Sequence, residues 1–99
     1  MDRNTELFSL GRLLATPGAM EALEASGEFA GEFVARHARG DWGEMGAEDA
    51  RSNDRAVDDG SRVFSAYTTR LGARLWVITE SADESGRRAA TTILLPDEY

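Results

Sequence analysis

The stretch Ala73–Glu80 (Ala-Arg-Leu-Trp-Val-Ile-Thr-Glu) constrains the fold more than any other part of the chain. It is rich in β-branched and aromatic residues, which fit a pleated, half-buried surface. Alternation sets Leu75, Val77 and Thr79 on one face and Arg74, Trp76, Ile78 and Glu80 on the other. The stretch therefore predicts a central strand. Before it, Ser61–Thr69 carries the strand residues Val63, Phe64, Tyr67 and Thr68, and Arg70-Leu71-Gly72 has the glycine of a hairpin connection. After it, Ser81–Gly86 is a polar loop, and Arg88–Leu95 predicts a third strand that Pro96 ends. Residues 61–99 thus predict a three-stranded antiparallel β-meander.

The first sixty residues predict short helices. Thr16-Pro17 is a strong helix start, because a threonine N-cap accepts a backbone hydrogen bond and proline is preformed for the first helical position. In this helix Met20 and Leu23, with Ala19, are expected to face inward, and Gly27 to end it. A second helix is expected over 28–39, with Phe29, Ala30, Phe33 and Val34 as its apolar stripe. A third, acidic segment over 44–60 begins near Gly46-Ala47-Glu48-Asp49 and has only Ala47, Ala50, Ala56 and Val57 as an apolar face, with Gly60 as its C-cap. Residues 5–15 are apolar without a clean period, so helix, short strand and extended arm all stay open. Short helices packed on one face of a meander make an α+β fold, with 1–99 as a single domain: a helical acidic half (1–60) and a sheet half (61–99). The edge strands of such a meander leave a homodimer open.

The turn between the second and third helices concentrates unusual residues: Arg36-His37-Ala38-Arg39-Gly40-Asp41-Trp42-Gly43. Gly40 is expected to stop the helix and Gly43 to let the chain turn again. His37 lies four residues after Phe33, near the apolar stripe, where it reads either as a hydrogen-bonded core residue or as a general acid or base. Trp42 reads either as a pin holding the turn onto the sheet or as an exposed aromatic anchor beside Asp41.

Charge narrows the function classes. The chain carries 18 Asp and Glu against 11 basic residues, all arginine, for a net charge of −7. The whole imbalance lies in residues 1–60, with 13 acids and 6 arginines, whereas residues 61–99 balance. This argues against a simple nucleic-acid binder and leaves room for a basic partner. No stretch approaches the apolar length of a membrane span, and Met1–Glu6 lacks the features of a signal peptide, so a cytoplasmic location is expected. Cysteine is absent and histidine single, so no metal site and no cofactor is expected. Neither a Walker-type phosphate loop nor a dinucleotide fingerprint is present. One catalytic alternative stands on residue types alone. In a small ribonuclease or toxin-like domain acting on RNA, His37, Arg62, Tyr67, Arg74, Thr79 and Thr92 would supply a base, a phosphate clamp and hydroxyl donors.

Several segments together resemble a family of small bacterial proteins described as plasmid-related. They are Asn53-Asp54-Arg55-Ala56, Gly60–Tyr67, Leu75–Glu80 and Thr91–Tyr99, with Thr16-Pro17-Gly18-Ala19 and His37–Gly43 before them. The similarity spans most of the chain and carries over no catalytic residue. Where the family has a short acidic Asp-Arg turn after the Thr-Glu strand, this chain has the longer Ser81–Arg88. The resemblance implies a setting of plasmids and other mobile elements, whose small acidic proteins often disarm host defence. The expectation is a non-enzymatic inhibitor of a host nucleic-acid-handling defence complex, of anti-CRISPR or anti-restriction type, that offers carboxylates where DNA phosphates would lie. Its contact face would comprise Asp41, Trp42, Glu44, Glu48, Asp49, Asp54, Asp58 and Asp59, and its partner would be a defence effector with a basic nucleic-acid-binding surface, with no direct contact to nucleic acid or membrane.

Overall fold

A computed structural model of the chain describes residues 6–99. The elements run β1 (Arg12–Ala15), α1 (Pro17–Ser26), α2 (Ala30–Ala38), α3 (Ala47–Asp59), β2 (Val63–Thr68), β3 (Arg74–Thr79), β4 (Ala90–Leu94) and a 3-10 turn (Pro96–Glu98). The α+β class holds, but the three-stranded meander does not. The sheet has four strands in the order β1-β4-β3-β2 and is mixed: β1 lies parallel to β4, and the other two pairs are antiparallel. The first half of the chain is therefore not purely helical, because β1 precedes the helices and forms one edge of the sheet. Its four residues are all exposed, so no burial pattern marks them as strand.

The sequence explains the helix boundaries well. The Thr16 hydroxyl accepts the Ala19 N–H at 3.3 Å, and Gly27 ends α1 in the left-handed region at φ 71°. Gly60 does the same for α3 at φ 84°. The inward face of α1 is Ala19 and Leu23; Met20, expected inside, is exposed. It shares that fate with Phe29, which caps α2 instead of entering its stripe. The two lie along one shallow cleft with Glu24 and Glu28, where the helix phase turns them from the sheet.

All three helices cover one face of the sheet. Ala19, Leu23, Phe33 and Val34 pack on Tyr67, Leu75, Val77 and Ile93. A second cluster joins Phe8, Trp42, Ala56 and Val63. Burying such side chains contributes roughly 1.5–3 kcal/mol each. The opposite face is lined by Phe64, Trp76 and Tyr99, which meet edge-to-face at 4.9 and 5.7 Å between ring centroids. Among the described residues no helix is long and apolar enough to cross a membrane.

Candidate functional site

The turn after α2 is built by close backbone approach. Gly43 pairs with Ala66 of β2, and at φ 75° a Cβ there would lie 2.1 Å from the Ala66 carbonyl oxygen, so only glycine fits. The Ala66 N–H donates to the Trp42 carbonyl at 3.2 Å, and its carbonyl accepts the Glu44 N–H at 2.7 Å. The turn thereby extends the sheet by a short rung beyond β2.

That rung places Trp42 inside. The indole is 7% exposed, stacks on Phe8 at 6.2 Å, and donates its N–H to the Asp54 carboxylate at 3.0 Å. Trp42 thus pins the turn between the sheet and α3 and offers no exposed aromatic anchor. Asp41 pairs with Arg36 at 2.7 Å, which holds its carboxyl below the usual range and raises Arg36. The Tyr67 hydroxyl donates to the Asp41 carbonyl at 2.6 Å, and burial first of all pushes that phenol up to about 12. Glu44 bridges Arg74 at 3.2 Å and accepts from the Thr68 hydroxyl at 3.0 Å.

The remaining acids stand on α3. Asn53, Ala56 and, in part, Ala50 and Val57 face inward. Glu48 and Asp49 fall in the first turn, Asp58 and Asp59 in the last, and Arg51 and Arg55 lie between them, so the face has two acidic ends rather than one continuous acidic surface. Asp59 accepts the Ser61 N–H at 2.9 Å, and the Ser61 side chain first and that N–H second hold its carboxyl below the usual range. Of the eight expected contact residues, Glu48, Asp49 and Asp58 are exposed and make no side-chain hydrogen bond or ion pair among the described residues; Asp41, Glu44, Trp42, Asp54 and Asp59 are bound into the fold. No group of three metal-ligating side chains converges among the described residues.

The acids at the end of α3 are explained by a residue that sequence reasoning passed over. Arg88 is almost fully buried, with its guanidinium at the C-terminus of α3. It donates to the carbonyls of Ala56 at 2.9 Å, Ser61 at 2.8 Å and Glu80 at 3.1 Å, and lies 5.3 Å over the Phe8 ring. A cation at a helix C-terminus complements the dipole, and it offsets the unfavourable Asp58-Asp59. In the sequence Arg88 is one of two adjacent arginines leaving a polar loop, and only the tertiary fold distinguishes it from Arg87.

His37 is sealed. Its exposure is 0%, and both ring nitrogens are occupied, Nδ1 by the Ser65 hydroxyl at 2.6 Å and Nε2 by the Thr79 hydroxyl at 2.9 Å. Thr79 in turn meets Thr91 at 2.7 Å, and Thr91 donates to the Leu10 carbonyl at 2.7 Å. Each hydroxyl has one hydrogen, so the chain has a direction. Thr91 spends its hydrogen on Leu10 and accepts from Thr79. Thr79 then accepts from Nε2–H, and Nδ1 accepts from Ser65. Burial, and then the charge of Arg88, lowers the imidazolium pKa to about 4. His37 is therefore a neutral core residue, and no substrate reaches it in this structure. The six groups of the ribonuclease alternative do not converge. His37, Tyr67 and Thr79 lie under the helices, whereas Arg74 and Thr92 fall on the opposite sheet face, and Arg62 joins them there by donating to the Tyr99 hydroxyl at 2.8 Å.

Compared with known proteins, the chain matches no family model, no curated protein and no solved structure.

Proposed function

We propose that this chain is a non-enzymatic acidic binding protein of mobile elements that inhibits a host nucleic-acid-handling defence complex, of anti-CRISPR or anti-restriction type. The observation that carries the reading is the set of uncommitted carboxylates Glu48, Asp49 and Asp58 on the exposed side of α3, in a chain of net charge −7. These acids are available to a basic groove without dismantling anything in the fold. Asp41 and Glu44 stand on the turn before α3, and each can exchange its arginine for one on a partner. Complementary charge of this kind speeds association and makes it sensitive to salt.

The test is affinity capture from cells that carry a CRISPR or restriction system, washed at low and then high salt. The expected result is recovery of an effector that is lost at high salt. The Glu48→Arg, Asp49→Arg and Asp58→Arg triple variant should fold like the wild type and lose the effector. Reversal at Asp54 or Asp59 is a poorer probe, because those carboxylates hold Trp42 and Ser61. Undiminished capture by the correctly folded triple variant would sink the charge-mimicry reading.

A further inference from the structure

The two edges of the sheet are finished differently. At the β2 edge, the Asn53 side chain donates to the Phe64 carbonyl at 2.7 Å and accepts the Phe64 N–H at 3.1 Å. Trp42 and Glu44 take the backbone of Ala66 in the same way. At the β1 edge nothing comparable is present among the described residues. Arg12 and Thr16 donate inward to the carbonyls of Ala89 and Ile93, both at 3.0 Å. Alternation along the strand then turns the N–H and C=O of Leu13 and Ala15 outward. Leu13 is 59% exposed and Leu14 43% exposed, one on each face of this edge. Native sheets ordinarily blunt such an edge with charge, proline or a covering segment.

We propose that this edge is a homodimer interface, formed when β1 pairs antiparallel with β1 of a second copy across a two-fold axis. The inference does not rest on the defence-complex reading above. Three two-fold registers are available, and the local chain selects one. Centring on Leu13 draws Gly11 into the ladder, but Gly11 sits at φ 65°, outside extended geometry. Centring on Ala15 draws in Pro17, which has no N–H. Centring on Leu14 sets Leu13 against Ala15 of the second copy, twice, and all four outward donors and acceptors on each side come from extended residues.

Side chains support the same register. Leu14 meets its own counterpart at the close, non-hydrogen-bonded position, where paired apolar side chains gain most. Arg12 falls opposite Thr16 of the second copy. The Thr16 hydroxyl is bonded to Glu98, whose carboxylate also accepts the Gly18 N–H at 2.9 Å. Each Arg12 guanidinium, which pairs with no carboxylate among the described residues, is thereby brought beside a fixed carboxylate of the other copy, once at each end of the rung. On the helix side, an apolar cleft of about 360 Å³ between Leu13 and α2 leaves room for the incoming strand's side chains. A unique self-match in hydrogen bonds, apolar contact and charge identifies a second copy of this chain as the occupant.

Sedimentation equilibrium over a concentration series tests the proposal. The expected mass is twice the 10.8 kDa of one chain. Ala15→Pro removes an outward N–H without touching the bonds to β4 and should shift the population to the single chain. Arg12→Glu should weaken dimerisation by about ten-fold or more at low salt. A wild type that stays at single-chain mass up to about 1 mM, or a dimer equally tight in both variants, overturns the proposal. If Ala15→Pro does not fold, amide exchange of the wild type decides. The Leu13 and Ala15 amides should slow as concentration rises. Rapid exchange at every concentration overturns the proposal. So does equal protection in dilute monomer, which would place another segment of the chain on this edge.

Discussion

His37 sets an acid limit on stability that can be isolated from the rest of the chain. Its folded pKa of about 4 lies below the ordinary value of 6.5, so the unfolded chain binds its proton first. Stability contributed by the neutral imidazole is complete above pH 6.5, declines as pH falls, and is gone below about pH 4, a loss on the order of 3 kcal/mol. Carboxylates held low by their hydrogen bonds, such as Asp41, Asp59 and Glu98, add their own loss as pH falls into and below the ordinary carboxylate range. The thermal midpoint should therefore fall steadily in the wild type between about pH 7 and pH 5, before the carboxylates contribute. A His37→Phe variant, weaker at neutral pH, should be nearly flat over the same interval. Equal slopes would show that His37 titrates normally. Trp42 gives a second residue-scale test: Trp42→Ala should cost roughly 3–5 kcal/mol in chemical denaturation, the range for a buried tryptophan. A change below about 1 kcal/mol would mean that the indole is not part of the core. The sequence allowed a core place for both residues, through the spacing from Phe33 and the flanking glycines, but left His37 open as an acid or base and set Trp42 on the expected contact face. It could not supply the partners of His37: Ser65 and Thr79 reach the ring from β2 and β3, and Thr91 of β4 stands behind Thr79.

The elements differ in how openly the sequence declares them. Helices α1 and α3 are framed by Thr16-Pro17, Gly27 and Gly60, whose chemistry acts within a few residues, and strands β2 and β3 are marked by alternation. Strand β1 has no such mark. It is four residues long, exposed throughout, and defined only by β4, which lies 78 residues further on. Met20 turns outward from the expected inner face of α1, because a short, alanine-rich helix leaves its phase to the sheet. Asn53 and Arg88 were passed over for a related reason, since each works by bonding to backbone that the sequence does not bring near. Their importance is measurable. Asn53→Ala strips both bonds from Phe64 and should cost about 1–3 kcal/mol, the penalty for stranding backbone polar groups. Light scattering should also register association through the uncovered β2 edge. Arg88→Met leaves three carbonyls without their donor where α3 ends and the strands begin, and should cost about 2–4 kcal/mol. Values near zero for either would show that water replaces the side chain without penalty.

At the scale of the whole molecule, the start and the end of the described chain are tied together. Parallel pairing joins β1 to β4, and Glu98 reinforces it by accepting from Thr16, Gly18 and Leu95. Glu98→Ala should lower the thermal midpoint. It should also make the loss of stability below the ordinary carboxylate range shallower, because the folded Glu98 carboxyl is held low chiefly by the Thr16 hydroxyl. An unchanged midpoint would detach this contact from global stability. The charge imbalance was legible from composition, but its division into acids committed to the fold and acids left free was not, since that depends on which arginines and amides the fold brings within reach. The unequal finish of the sheet has one more consequence. A molecule that accepts a neighbouring strand on one side and refuses it on the other has no route to a filament. Once the open side is taken, both outer borders of the combined sheet are closed by Asn53 and the Trp42 turn. Crowding such a protein to high local concentration then saturates at a pair instead of seeding a fibre.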